Sequence, residues 1–359
     1  MHYESMRIVS NYQYQYKPAN NIKFCGLLHI DKNNGNIIDS WFYRDCDVLE
    51  KSVQIITEKF PQGGDILDYA SSTGEEQISI KSLLPNNKYR IIGYDNSTDA
   101  INLGRKGVYT LFSNWYDSYL MPNMNYPLAV SVLENHSKEE CKKMQKLRRK
   151  FHEIMVEIPY NPAYKNINNK NVFTAMKYEN PEFVEKFYRL KEGLETQIDL
   201  RYGNFMNIGK YKKEGSVVAV FFRNAIYHLC KNNINEVFSY NAPVGKFKDN
   251  KSRLMNFLVE GVYKTLDDNG IFVIGNHIKE HLFWADDTTP AENVIRFYET
   301  KFYNPRNVRH KENRLRLCYK ISPLEQALRE NNFEPAGFSF VKFADILTKV
   351  PVIWKKLRG

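Results

Sequence analysis

The chain has 359 residues, 43% of them hydrophobic, with 24 Tyr and 22 Phe, so it can bury a large core and is not a low-complexity or disordered polymer. Five scattered cysteines (Cys25, Cys46, Cys141, Cys230, Cys318), odd in number and without a Cys-x-x-Cys, argue against a disulfide framework or a zinc site and favour a reducing compartment. The formal charge of +10 suits an acidic partner (nucleic acid, an anionic membrane surface or an acidic protein) or simply a solvated basic surface, while the lack of a leader-like or membrane-spanning apolar run predicts a cytoplasmic protein.

Residues 1–37 are polar and rich in Tyr and Asn, with one small apolar stretch from Phe24 to Leu28. Helical spacing over 46–60 places Cys46, Val48, Leu49, Val53, Ile56 and Phe60 on one face. Pro61-Gln62-Gly63-Gly64 then turns the chain into the most informative stretch, Asp65 to Asp95. Ile66, Leu67 and Tyr69 form an apolar run of strand length. Ala70-Ser71-Ser72-Thr73-Gly74 follows, small enough for backbone to approach a ligand. Glu75-Glu76 suits a helix N-terminus, Ile78, Ile80, Leu83 and Leu84 give that helix its apolar positions, and Pro85 stops it. Tyr89 to Tyr94 is a second strand with Asp95 at its end. An acid about twenty residues beyond a small-residue turn is how nucleotide sites hold ribose hydroxyls. The turn is not Gly-x-Gly-x-x-Gly and there is no phosphate-cradling Gly-x-x-x-x-Gly-Lys, so an ordinary α/β turn competes with a nucleoside-binding βαβ unit.

From Asn114 to Pro181 the character changes to prolines, an Asn/Lys-rich loop at 165–171, and a basic segment, Lys138 to Lys150, with seven Lys/Arg against two Glu. Met144, Leu147, Phe151 and Ile154 fit one helix face there. The segment reads as an inserted subdomain that selects substrate, or as a solvated basic helix whose Lys142, Lys143, Lys146, Arg148 and Arg149 face water. Beyond it, Thr196 to Leu200 alternates as a strand, and Ser216 to Phe222 is a continuous apolar strand suited to the middle of a parallel sheet. Arg253 to Leu266 is an amphipathic helix ending at Asp268-Asn269-Gly270, before a strand over Ile271–Gly275. His277-Ile278-Lys279-Glu280-His281 is expected as a polar loop, and the basic, aromatic run Phe297–Arg316 as a loop over a binding site or plain surface. Ser322-Pro323 starts a capped helix, and Phe338–Phe343 with Val350–Trp354 completes the sheet edge. Hydrolase and metalloprotease patterns (Gly-x-Ser-x-Gly, His-Glu-x-x-His) are absent from the sequence, and no metal site is predicted.

Five pieces in order carry a family resemblance: Ser40-Trp41-Phe42-Tyr43-Arg44, Ala70 to Glu76, Gly93-Tyr94-Asp95 to Ala100 with Gly107 to Leu111, Val218 to Asn224, and Leu266 to Gly275. Together they resemble the CheR-type, S-adenosylmethionine-dependent glutamate methyltransferases of bacterial chemotaxis. The resemblance implies a Rossmann-like class I methyltransferase fold, a mostly parallel seven-stranded α/β sheet with helices on both faces. It divides the chain into an N-terminal cap segment (1–60), a first core part (61–112), an inserted basic subdomain (113–194) and a second core part (195–359). By position it implies that Asp95 holds the ribose, that the Ala70 carbonyl and Glu76 meet the methionine ammonium beside the small turn Ser71, Ser72 and Gly74, and that Ser40 and Arg44 meet the carboxylate. Asn204-Phe205 would flank the adenine, with Arg223-Asn224 at a strand end. A mutual Arg44–Glu76 salt bridge and a helix cap at Asp95 are the structural alternatives.

Two departures from the family pattern stand out. Ile38 occupies a family Asn position, and His228 occupies that of the tyrosine near the transferred methyl, with Tyr227 one residue earlier. An ionised glutamate acceptor needs no base, whereas an amine, imidazole or phenol benefits from one; His228 or Tyr227 is therefore the candidate to orient or deprotonate the acceptor, against a histidine merely buried on a helix. His277 is a weaker second candidate. The expected activity is methyl transfer from S-adenosylmethionine, leaving S-adenosylhomocysteine, to a protein acceptor. A nucleic-acid or small-molecule acceptor on the same fold, or a cofactor-binding scaffold without turnover, are the alternatives.

Overall fold

The computed structural model of the chain describes residues 24–30, 37–114, 138–161, 183–194, 198–205, 208–211, 214–226, 250–276, 278–281, 290–303, 310–343 and 346–358. It divides into two units, Met1–Phe205 and Met206–Gly359.

In the first unit, β1 (Phe24–Ile30) pairs antiparallel with β2 (Ile37–Phe42), and helix α1 (Cys46–Lys59) follows. The apolar face expected over 46–60 is the buried one: Val48, Leu49, Val53 and Ile56 are all in the core. Next come β3 (Gly64–Tyr69), α2 (Glu75–Leu83), β4 (Tyr89–Asp95) and α3 (Thr98–Gly104). β3 and β4 are parallel, in the register Ile66↔Ile91, Leu67↔Ile92 and Tyr69↔Tyr94. Ile66 to Tyr69 and Ile91 to Tyr94 are buried throughout, which accounts for their apolar runs. β5 (Val108–Asn114), helix α4 (Lys138–Ile154), β6 (Met155–Ile158) and β7 (Phe183–Leu190) come next, and β5, β7 and β6 form a separate antiparallel sheet in that order. The unit ends with β8 (Ile198–Tyr202), parallel to β4. Thr196 and Gln197, expected to begin this strand, and the loop 165–171 lie outside the described residues.

Helix α4 is the basic segment, and Leu147, Phe151 and Ile154 of its predicted apolar face are turned to the core. Leu147 and Phe151 are buried in a cluster with Phe42, Tyr43, Ile78, Tyr109 and Tyr188, and Ile154 packs against it. Phe151 sits edge-on to both Phe42 (5.1 Å) and Tyr188 (5.0 Å), the arrangement ring quadrupoles favour. Two of the five cations singled out are engaged on α1: Lys143 with Asp47 and Glu50, and Lys146 with Glu50 at 2.8 Å. The positive charge of this helix is thus partly answered within its own unit.

The second unit holds α5 (Ile208–Tyr211), β9 (Val217–Phe222), α6 (Asn250–Thr265), β10 (Leu266–Ile274), the single turn α7 (Ile278–His281), β11 (Val294–Tyr303), β12 (His310–Tyr319), α8 (Pro323–Glu330), β13 (Phe333–Phe343) and β14 (Ile346–Lys356). Every residue of β9 is buried. The turn expected at Asp268-Asn269-Gly270 lies inside β10, as an irregularity between Leu266 and Ile271 where Asn269 takes φ +65°. The expectation of a loop over Phe297–Arg316 is corrected: most of it is the antiparallel ladder β11–β12. Its register sets Glu299 opposite Arg314 and Lys301 opposite Glu312, and it is this mixed charge that makes the strands look loop-like in sequence.

Helix α8 begins as Ser322-Pro323 predicts, the Ser322 hydroxyl accepting from Glu325 N at 3.1 Å. Ser322→Ala should lower stability by about 1 kcal/mol, read from the urea midpoint at unchanged slope.

Within the first unit the core strands lie in the order β3-β4-β8, and within the second in the order β13-β14-β10-β9. β3, β4 and β8 run parallel, as do β9 and β10, while β14 is antiparallel to both β10 and β13. This is the mostly parallel, Rossmann-like α/β class expected from the sequence. No described helix is long and apolar enough to cross a membrane.

Candidate functional site

The first unit assembles its candidate residues at the carboxyl ends of β3 and β4, where ligands bind in open α/β sheets. Between Tyr69 and α2 the backbone takes three left-handed residues within five, Ala70 (φ +56°), Ser72 (φ +52°) and Gly74 (φ +99°). A left-handed residue with a Cβ costs about 1–2 kcal/mol, and here the smallest side chains carry it. Three hydrogen bonds hold the turn: Ser71 N donates to Tyr94 O (3.2 Å), Gly74 N to Ser71 O (3.0 Å), and Ser72 N to the Asp95 carboxylate (2.8 Å). Gly74 caps α2 with its backbone, and a Cβ there would meet Leu200 at 3.3 Å in a conformation L side chains avoid.

Asp95 is half-buried at the end of β4. One carboxylate oxygen takes Ser72 N and the other takes Ser97 N at 2.8 Å. It therefore braces the small turn and the entry to α3, where Ser97 is itself the cap and accepts from Ala100 N. The cap of α3 is thus Ser97 and not Asp95, which holds the amide of the cap residue. Ser71 Oγ and Ser72 Oγ are buried here without a hydrogen-bond partner, an unusual condition for hydroxyls and one that a polar ligand at this turn would relieve.

Asn204-Phe205 comes to the same edge because Gly203 N donates to Asp95 O at 2.9 Å. The Phe205 ring is buried edge-on against Tyr69 (4.8 Å), which stacks on Tyr94 at 5.1 Å. The sequence did not suggest this aromatic stack beneath the turn. On the other side, the segment carrying Arg44 is tied to α2, the helix of Glu76: Tyr43 N donates to Ser79 Oγ, and the Tyr43 hydroxyl shares a hydrogen with Ser82 Oγ, both at 2.8 Å. Burial pushes the Tyr43 phenol well above the ordinary range, so it stays a neutral donor and acceptor. Tyr43→Phe should cost about 1 kcal/mol in denaturant unfolding, the worth of one buried hydrogen bond. Arg44 and Glu76 are both half-buried. Ser40 lies in β2 opposite Leu27.

In the second unit, Arg223 and Asn224 follow β9, Arg223 buried and Asn224 left-handed at φ +58°. Tyr227, His228 and His277 lie outside the described residues. The stretch expected as a polar loop instead forms α7, with Glu280 fully buried. Oε1 of Glu280 accepts from Ile226 N at 3.3 Å, and burial pushes its carboxyl up to about 8. A glutamate between a lysine and a histidine carries no sequence signal of burial, so this group could not have been found without the fold.

No family model matches the chain, and no curated protein matches it. Among solved structures it is similar to a candidate S-adenosyl-L-methionine-dependent methyltransferase of Methanococcus maripaludis (11% identity, 64% of this chain and 56% of that one, TM-score 0.25). It spans little more than half of that chain. It is also similar to an S-adenosylmethionine-dependent methyltransferase of Methanosarcina mazei (10%, 85% and 98%, TM-score 0.35) and to one of Clostridium acetobutylicum (11%, 86% and 92%, TM-score 0.33). At such scores the fold rests on the strand order and registers given above.

Proposed function

We propose that the chain is an S-adenosylmethionine-dependent methyltransferase of CheR-like type. The observation that carries the reading is the Asp95 carboxylate at the end of β4, joined to Ser72 N of the strained Ala70–Gly74 turn. An acid at the second strand end beside a tight small-residue turn suits a nucleoside.

When bound, S-adenosylmethionine would supply a sulfonium methyl for in-line displacement, the acceptor lone pair forming the new bond to carbon as the carbon–sulfur pair leaves on sulfur. The chain's own residues then bind and orient. Asp95 receives the ribose hydroxyls, the Ala70 carbonyl and Glu76 receive the ammonium, and Ser40 and Arg44 receive the carboxylate, with Ser71, Ser72 and Gly74 forming the turn around them. Asn204-Phe205 takes the adenine, and Arg223-Asn224 completes the set. His228, or Tyr227 beside it, orients the acceptor and takes its proton where it has one to lose.

The acceptor we favour is a protein carboxylate, from the resemblance of five ordered segments to that family. Titration calorimetry with S-adenosylmethionine and S-adenosylhomocysteine tests the cofactor reading, and wild type that is folded but binds neither removes it. A labelled-methyl screen then tests the acceptor: label released by mild alkali is an ester on a carboxylate, and alkali-stable label points to nitrogen instead.

A further inference from the structure

Glu280 joins the segments that leave two neighbouring parallel strands. Its carboxylate accepts from Ile226 N at 3.3 Å, and the amides of Ala225 and Gly275 also face it. Ala225 and Ile226 lie just beyond β9, and Gly275 just beyond β10. The fit is close: a Cβ built on Gly275 would stand 2.5 Å from Glu280 Oε2, 2.6 Å from Asn224 Oδ1 and 2.7 Å from Asn224 N. Gly275 is thus required by packing, and the space it leaves is filled by the carboxyl group. Asn224, which lines the same space beside Gly275, is left-handed at φ +58°. Such a residue persists only where its surroundings over-determine it.

The electrostatics match this role. Full burial raises the Glu280 carboxyl to about 8, while the facing amides and the nearby Arg223 guanidinium act the other way.

We infer that Glu280 is a positioning residue: its carboxyl group fixes the turn Arg223–Ile226, which carries the two residues proposed to complete the cofactor site, Arg223 and Asn224. The inference rests on the methyltransferase reading for its meaning in catalysis, but the turn itself can be tested without it.

The experiment compares the full chain with Glu280→Ala, Glu280→Gln and Gly275→Ala by amide hydrogen exchange and by calorimetry with S-adenosylhomocysteine. Glu280→Ala is expected to speed exchange at Ala225 and Ile226 by about tenfold or more, while amides of β3 and β4 keep their protection. Glu280→Gln retains a carbonyl oxygen for the Ile226 amide and should stay within about threefold of wild type. Gly275→Ala, which drives a Cβ into the carboxyl group, should reproduce the loosening with Glu280 present. S-adenosylhomocysteine affinity should fall about tenfold in Glu280→Ala and recover in Glu280→Gln. Unchanged exchange at Ala225 and Ile226 in both Glu280→Ala and Gly275→Ala would overturn the inference, as would a Glu280→Gln variant as loose as Glu280→Ala. If Glu280→Ala does not fold, Gly275→Ala and Glu280→Gln decide by the same exchange reading. Wild type that binds no S-adenosylhomocysteine sinks the methyltransferase reading alone, and exchange still decides the role of Glu280.

Discussion

Replacing Asp95 by alanine should remove measurable S-adenosylhomocysteine binding in calorimetry, a loss of at least about a hundredfold. The magnitude follows from what the carboxylate does. In the proposed complex it accepts from two ribose hydroxyls, and hydrogen bonds to a charged group are worth about 1.5–3 kcal/mol each. Its existing bonds to Ser72 N and Ser97 N add to the effect. Without them the Ala70–Gly74 turn keeps its left-handed residues but loses one of the three hydrogen bonds that hold them. The variant therefore loses both a ligand contact and one brace on the turn.

These two contributions separate by experiment. Asp95→Asn keeps one acceptor oxygen and presents an amide N–H₂ where the other oxygen was, so it can satisfy either Ser72 N or Ser97 N but not both. If its melting temperature is near wild type while affinity is still lost, the charge-assisted ribose contact is responsible. If affinity and melting temperature fall together in both variants, Asp95 is mainly a brace and the nucleoside reading weakens. Wild-type affinity in a folded Asp95→Ala would end it.

How far the site could be read in advance depended on whether its signal was local. The turn after β3 was legible because Ile66, Leu67 and Tyr69 mark a buried strand, Ala70 to Gly74 are uniformly small, and an acid stands at the next strand end. Those are properties of neighbouring residues, and the parallel register of β3 on β4 converts them directly into proximity. Phe205 was placed near the same edge, yet its ring packs on Tyr69, a contact over 136 residues of sequence that no pattern encodes. The β11–β12 ladder was misread for a different reason. Charges along a strand suggest a loop until the partner strand is known, and only the register brings Glu299 opposite Arg314. Glu280 lies at the far end of this scale, since nothing in Ile278-Lys279-Glu280-His281 distinguishes a buried carboxyl from a solvated one. Burial there is decided by how the ends of β9 and β10 meet.

The neighbouring pair Glu280 and His281 should give the chain an unusual dependence of stability on pH. Burial shifts them in opposite directions, Glu280 from an ordinary 4.5 up to about 8 and His281 from 6.5 down to about 4. His281 keeps a hydrogen bond of its Nε2 with Gly275 O at 2.8 Å, and the nearby Glu325 works against its shift, as Arg223 does for Glu280. Between pH 4.5 and 6.5 the unfolded pair binds one proton, on His281, and the folded pair also binds one, on Glu280. Equal proton counts make the pair's contribution flat over that window. Above pH 6.5 the unfolded pair gives up its proton while folded Glu280 keeps its own until about 8, so stability falls as pH rises. At about 1.4 kcal/mol per unit the fall is about 2 kcal/mol across that interval. In Glu280→Gln only His281 remains, its stabilising effect complete above pH 6.5 and lost as pH drops through about 4. The variant should therefore be flat where wild type slopes, and slope where wild type is flat. Urea unfolding at half-unit steps from pH 4.5 to 8 reads this as a difference curve, in which groups common to both proteins cancel. Parallel curves over the whole range would mean that folded Glu280 titrates as an ordinary carboxylate.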